Sequence, residues 1–544
     1  MWINSLLLPR KRDLGRHQDK GRSLRHPLAH RRSSRPRIEV LENRALLSLL
    51  VTSNADSGPG SLRAAIAAAP SGATIEFAKG IHTITLTSGE LAITKSLDIE
   101  GPGASKLTIS GNDTSRVFDI EGTMAVIIAG LTITDGRADG TTNHPGIGGA
   151  IYHNGEGNAA MSITGGTLTL SRVVVSNSQA IGSLGSTDPT HPGHLGGAFA
   201  GGVYNQDGTL NISHSTLINN RSIGADGGTG AVNTTVGDAE GGCINNASIF
   251  ASAYLSVNDS SIIGNIAQAG NGSAGSIDAT PGFFGIVNLA VGGGIFNFSY
   301  LFLPAPQPVV TSVASITNSV LTGNEVIGGN NSKGGNALRD IVDVAFGGGI
   351  SNDANCSLII NDSRLSGNKA LGGSGGTGGT GVVQQVDVGE GAGIGDIGTY
   401  FVNGDTLSNN VAQGGSGGTP GTGAILQQQV DIGEGGGLAS ILGVGNGTII
   451  KSSFVHNRAR GGIGADGFGG GLFNDMGDTV TFIASSFTLN QAIAGEGGEG
   501  IGGGVYSLGT IINRVGILTN KHKPNHATTS NNDIFPSGNS NILS

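Results

Sequence analysis

Three aspartates recur at one interval. Asp343, Asp387 and Asp431 stand 44 residues apart in "DIVDVAFGGGI", "QQVDVGEGAGI" and "QQVDIGEGGGL", each seven residues before an apolar residue (Ile350, Ile394, Leu438). Glu390 and Glu434 repeat with them, and Glu240 holds the same offset before Ile244. Carboxylates gathered in a row repel one another unless they share a proton or a cation, so such a row can supply acid–base groups or hold Ca²⁺. The three aspartates are the candidates for catalysis; Asp387, Glu390, Asp431 and Glu434 are the candidates for Ca²⁺. Asp466 joins the second set because "GGIGADGFG" (461–469) fits one copy of a Ca²⁺-binding nonapeptide, although such sites work as tandem stacks. In Val-Asp-Val both valines share one strand face, which predicts carboxylates lined up outside the fold. The bland alternative is a duplicated, solvated strand face and a glycine-rich corner.

Other chemical signals are weaker. His191 and His194 in "HPGH" share a loop, but no third metal ligand accompanies them in the sequence. Ser374 and Ser416 satisfy GxSxG inside Gly-rich stretches, without the strand before and helix after that a nucleophile elbow needs. HExxH, GxxxxGK[ST] and CxxC are absent, and Cys243 and Cys356 are isolated thiols that read as core or corner residues.

The elements that must position these residues are repeats. "GGAIYHN" (148–154), "GGVYNQD", "GGCINNA", "GGGIFNF", "GGGISND", "GAGIGDI", "GGGLASI", "GGGLFND" and "GGGVYSL" mark successive units. A second signature, Ser-x-apolar-x-x-Asn, brings Asn177, Asn220, Asn265, Asn324, Asn368, Asn410, Asn457 and Asn490 to matching places. Short β-favouring runs such as "SLDIEG", "KLTISG" and "LTITDG" stop at Gly, Asn or Asp. Strands too short to bury a face alone stack into a solenoid. The fold class expected is all-β, a right-handed parallel β-helix with a short N-terminal capping helix. Gly takes the φ > 0 corners of such a coil, and stacked Asn amides can bond from rung to rung. A phosphate-binding reading of the glycines fails because strands, not helices, follow them.

Glycine supplies 98 of 544 residues, and long insertions such as "GGSGGTGGTG" (372–381) recur at one place in the unit. Residues 1–50 carry 12 Lys/Arg against 4 Asp/Glu, so the rest of the chain holds −17 of the net −9. The basic head has no interleaved aromatics and precedes an acidic body, which argues against nucleic acid and for export. "ALLSLLV" (45–51) is too short to span a bilayer. The expected division is an export segment at 1–50, the β-helix at 51–520 and a polar tail at 521–544. A rod of about 15 to 18 turns, some 70–85 Å long, is expected from the interstrand spacing, with Ser61 as N-cap and Pro70 as stop of the capping helix.

"RPRIEVLENRALLS" (35–48) resembles the export-associated segment of extracytoplasmic planctomycete proteins, with Leu41, Glu42, Arg44, Leu46, Leu47 and Ser48 filling the pattern. The body is similar to pectate-lyase-like β-helix proteins, and its "GGAI", "FVHN" and "FTLN" resemble repeats of chlamydial polymorphic outer-membrane proteins. That resemblance implies a secreted or cell-surface β-helix. Relatives of this fold include lyases and hydrolases of acidic polysaccharides, but the Asn-Thr-Asp, Asp-Asp and Gly-His-Gly clusters of polygalacturonases and the Asp-Pro-His-Glu motif of alginate epimerases are missing. The leading expectation is a non-catalytic adhesive or structural envelope component with a polysaccharide or envelope partner, without cofactor unless Ca²⁺ binds. The alternative is a polysaccharide lyase or hydrolase with an atypical carboxylate site. A groove lined by carboxylates with Arg or Lys favours the alternative; isolated exposed carboxylates favour the first.

Overall fold

Each short run pairs in parallel with the equivalent run one unit later, as Ser357–Asn361 does with Thr399–Asn403. The computed structural model describes residues 48–141, 145–158, 163–184, 194–231, 234–276, 284–300, 310–422, 427–442, 445–515, 518–519 and 523–536. Within them six parallel sheets run along one axis. In chain order around one turn they are sheet I (Ser357–Asn361), sheet II (Arg364–Ser366), sheet III (Lys369–Leu371), sheet IV (Val383–Val386), sheet V (Gly389–Glu390) and sheet VI (Ile394–Asp396). The chain is a parallel β-helix.

Sheets I, II and VI enclose the main core, and alternation along each strand decides which side chains enter it. Ser312–Thr317 alternates buried and half-buried throughout. One inward column of sheet I reads Leu168, Leu210, Leu255, Ala314, Leu358, Tyr400, Gly447, Val480, Ile511. Tyr400 fits there because Gly447 beneath it has no side chain; a Cβ at 447 would fall on the ring. Between sheets III and V the space is narrow and filled by a stack that includes Ala239, Ala290, Ala345, Ala370, Ala392 and Ala412. Both cysteines are free and buried, and burial pushes the Cys243 thiol well up.

Sheet I has thirteen strands, so the coil advances twelve spacings, about 58 Å at ~4.8 Å each. That is shorter than expected, because the units carrying insertions spend more residues per turn. The ends also differ. Ser48–Val51 is already a strand of sheet I, paired with Ala73–Phe77, so the export-like run ends inside the coil. At the other end His526–Ala527 and Ile534–Pro536 still pair with sheets III and VI, so the coil continues past residue 520. All described residues fall in one unit, Leu46–Ser544. The helix Leu62–Ala68 has Ser61 as N-cap, its side chain accepting from Ala64 N. Asp56 ties this end down. Burial acts to raise its pKa, but donors from Ser88, Arg63 and Thr87 hold it well below the usual range.

Three polar ladders fix the corners. Asn220, Asn265, Asn324, Asn368, Asn410, Asn457, Asn490 and Asn525 are all buried, and each Oδ1 after the first accepts the backbone N–H and Nδ2 of the Asn one rung before. Each Nδ2 also donates to a backbone carbonyl, as Asn368 does to Leu321 at 3.1 Å. Asn177 is not a member. It lies exposed at φ 52°, and Ser178 takes the ladder place, its N–H donating to Asn220 Oδ1. The serine of the same signature makes a second ladder: Ser215, Ser260, Ser319 and Ser363 each accept the preceding rung's N–H, and Asp405 replaces Ser in the next rung. A third runs His153, Asn205, Asn246, Asn297, Asn352, Asp396 through side-chain bonds of 2.6–2.9 Å.

The glycine triplets bend the backbone around these ladders. Gly391 takes φ 61°, and a Cβ on Gly393 would sit 2.3 Å from Gly437 O and 3.2 Å from Asn410 Nδ2.

Candidate functional site

Asp343, Asp387 and Asp431 do not face solvent. Each follows a sheet IV strand and turns the corner into sheet V at φ 55°, which Asp tolerates better than most residues. All three are buried. The Gly-rich insertions stack on one another through Asn330–Ser374–Ser416 and Lys333–Thr377–Thr419 bridges, and they donate backbone N–H groups to the aspartates. Ser332 N reaches Asp343 Oδ2 at 3.0 Å, Gly376 N reaches Asp387 Oδ2 at 2.9 Å and Gly418 N reaches Asp431 Oδ2 at 3.1 Å. Asn288 heads the same column and donates to Asp343 Oδ1 at 3.3 Å. The strand-face expectation fails because the middle residue of Val-Asp-Val is a corner, and the row clamps the insertions to the coil. Burial, with Asp343 and Asp431 alongside, pushes Asp387 up to about 8 against the Gly376 N–H.

Glu390 and Glu434 go elsewhere. Sheets IV, V and VI turn their outer faces toward one another and form a groove along the axis, with a cavity of about 290 Å³. The second residues of the sheet V strands form one column, Ile147, Phe199, Glu240, Val291, Phe346, Glu390, Glu434, Phe468, Ile501, of which Glu240, Val291, Phe346 and Glu390 floor the cavity. Phe296, Phe298 and Tyr300 line the sheet VI side, and Ile286, Ile341 and Gln385 the sheet IV side. The floor continues onto an aromatic stack, with Phe468 and Tyr506 ring centroids 4.7 Å apart and Tyr506 and Phe535 4.8 Å apart.

Each floor carboxyl is held by an amide. Gln385 Nε2 donates to Glu390 Oε1 at 2.8 Å, Gln429 Nε2 to Glu434 Oε1 at 2.9 Å and Asn245 Nδ2 to Glu240 Oε2 at 3.0 Å. Glu390 and Glu434 are register partners on adjacent rungs, their backbones about 5 Å apart by strand spacing. Glu434 Oε2 is buried without a hydrogen-bond partner. Burial, then Asp475, pushes Glu390 up to about 8, opposed by Arg339; burial and Glu390 hold Glu434 well above the usual range. Burial thus favours the protonated form of both carboxyls, and the first proton to leave makes the second harder to remove.

The Ca²⁺ candidates are thus divided. Asp387 and Asp431 lie in the corner, Glu390 lines the groove with Glu434 next to it in register, and Asp466 accepts from Glu499 N at 2.6 Å in another turn. Among the described residues the one group of three with metal-ligating atoms close together is His194, Asp238 and Glu240. Asp238 escaped the sequence pattern because it stands one residue after the Asp column, where later rungs carry Leu289, Val344 and Val388. His191 lies outside the described residues. The groove aromatics escaped as well: one position per rung on three sheets leaves no periodic signal.

No protein-family model matches the chain and no curated protein matches it. Among solved structures, the PL6-family alginate lyase AlyGC aligns over 90% of this chain and 100% of its own, at 11% identity and a TM-score of 0.18. A likeness this low carries no weight for chemistry, and the fold rests on the strand pairing itself. No helix among the described residues is long and apolar enough to cross a membrane.

Proposed function

We propose that the chain is an extracytoplasmic β-helix that binds a polysaccharide along the outer groove and hydrolyses it with the Glu390–Glu434 pair. The observation that carries this reading is two buried carboxyls on adjacent rungs, Glu390 lining the groove with Arg339 acting on it and Glu434 next to it in register. Carboxyls borne by neighbouring strands suit the close pairing of a retaining glycosidase, in which one carboxyl protonates the leaving oxygen and the other attacks as nucleophile. Phe298 and Tyr300, both half-buried, offer ring faces against which sugars can stack. The export-like head supports the extracytoplasmic setting.

A panel of acidic and neutral glycans tests this, with reducing ends followed against time. Absorbance at 235 nm separates hydrolysis from lyase chemistry. Glu390→Gln and Glu434→Gln should each lower turnover by roughly 100-fold or more while the melting temperature holds. Glycan binding with no product in the parent chain would sink the hydrolytic reading and leave an adhesin. The second reading, a non-catalytic adhesive or structural component, is supported by a ladder that runs unbroken from Ser178 to Asn525, a device for rigidity rather than turnover.

A further inference from the structure

The other end of the groove carries a second cluster. His194 begins the first sheet IV strand, Asp238 stands at the corner between sheets IV and V, and Glu240 is the floor residue of its rung. One ligand atom from each lies within 4.8 Å of the other two. His194 Nδ1 is 2.7 Å from Asp238 Oδ2, while Asp238, at 1% exposure, keeps Oδ1 buried without a hydrogen-bond partner. We infer that these three side chains bind a divalent ion of the Zn²⁺ class, with its open coordination position facing the groove.

Charge comes first. His194 faces two buried carboxyls, Asp238 and Glu240, which repel one another when both are ionised unless a proton or a cation is shared between them. A divalent ion with a neutral imidazole neutralises both, and the donors are then in the states a metal requires. The donor set then selects the ion. One imidazole nitrogen and two carboxylates with a free position match a three-ligand zinc centre, whereas Ca²⁺ asks for six to eight oxygens. Ligands about 2.0 Å from a tetrahedral ion lie roughly 3.3 Å apart, so the His194–Asp238 hydrogen bond need open by only about half an ångström.

The surroundings orient the ligands. Asn245 Nδ2 holds Glu240 Oε2, the outer-shell role that fixes a ligating carboxylate. Phe199 meets His194 edge-on, with centroids 5.3 Å apart at 87°, and limits where the ring can turn. The cluster spans two adjacent rungs, His194 pairing in register with Thr235 of the rung that carries Asp238 and Glu240, and it does not recur, since Leu289 and Val291 occupy the positions of Asp238 and Glu240 in the next. It is three rungs, about 14 Å, from Glu390. The metal assignment therefore stands or falls apart from the hydrolase reading.

The full chain, stripped with a chelator and dialysed, is titrated with Zn²⁺ by calorimetry and with Co²⁺ by visible absorption. One ion per chain is expected, with the intense visible Co²⁺ bands of a low-coordinate nitrogen–oxygen site. His194→Ala and Glu240→Gln should each weaken binding by roughly tenfold or more. His82→Ala, at an exposed histidine outside the groove, and Glu390→Gln should leave binding unchanged, and Ca²⁺ should give no one-to-one isotherm. No saturable Zn²⁺ binding by the parent chain overturns the inference. So does a folded Glu240→Gln variant that binds as the parent does; its near-isosteric side chain and a matched thermal melt guard against reading misfolding as lost ligation.

Discussion

Two corners of this coil repeat one residue from rung to rung and meet opposite chemical fates. Between sheets II and III the repeated residue is Asn, and its amide both donates and accepts, so the column from Asn220 to Asn525 closes on itself at every step. Between sheets IV and V it is Asp, which as a carboxylate only accepts. Asp343, Asp387 and Asp431 must therefore draw donors from the insertions, and Asp387 Oδ1 is left with none. An amide column can extend without limit; a carboxylate column holds only while something outside it supplies protons or N–H groups.

The largest expected effect of this difference is on pH. The rung from Val383 to Gln413 gathers Asp387, Glu390 and Asp396, each pushed by burial to about 8, and Asp405, pushed to about 7. The folded pKa of each lies above its unfolded value near 4. Between those values the folded chain keeps a proton that the unfolded chain has released, so stability falls as pH rises toward the folded pKa and levels off above it. Buried His153, lowered to about 4, acts the other way only below about pH 6.5. The melting temperature should therefore drop by roughly 5 °C or more between pH 6 and pH 9. Calorimetric melts that stay level over that interval would mean these carboxyls are ionised and otherwise compensated.

The next effect comes from writing the wrong chemistry into the amide column. Asn368→Asp keeps the acceptor that Asn324 uses but sets oxygen against Asn410 Oδ1 and Leu321 O, both of which now receive Asn368 Nδ2. A cost of about 3 kcal/mol is expected at neutral pH, and Asn368→Ala should cost about 1–3 kcal/mol. Denaturant midpoints at constant m-value decide both. Equal stability of Asp and Ala variants would remove donation by Nδ2 from the account.

How far the sequence carries depends on the same distinction. The coil and its Asn ladder were legible because that ladder needs one residue type at one offset from a recurring signature; the Ser ladder, on the serine of the same signature, emerged only from the hydrogen bonds. Asn177 misled because the ladder position is the residue after it, Ser178, and a serine there breaks the pattern without breaking the column. The third ladder was illegible because His153 and Asp396 substitute at its ends. The direction of the Asp row was misread because alternation describes extended backbone, and φ 55° takes Asp387 out of the strand. The groove needed spatial information throughout, since neighbouring floor positions hold Val, Phe and Glu in no set order.

Smaller in size, but sharper, is Asp387→Asn. An amide at 387 can accept from Gly376 N through Oδ1 while Nδ2 donates to a neighbouring carboxylate, as Asn288 already does to Asp343. The variant should gain about 1 kcal/mol at pH 8 and little at pH 5, where the parent's own carboxyl is protonated. A gain of the same size at both pH values would point to packing instead of charge.

The smallest effect belongs to the asparagine that lies off the ladder. Asn177→Ala removes no buried hydrogen bond, because the side chain is exposed and the backbone N–H bonds to Ile218 O whatever the side chain. The remaining cost is that of holding Ala rather than Asn in the left-handed region, under about 1 kcal/mol, and Asn177→Gly should recover it because Gly takes φ > 0 freely. The corresponding pair at Asn368 should behave in reverse: neither Ala nor Gly restores stability, since what is missing there is an amide. If Asn177→Ala costs as much as Asn368→Ala, position in the ladder is not what sets the energy of these corners.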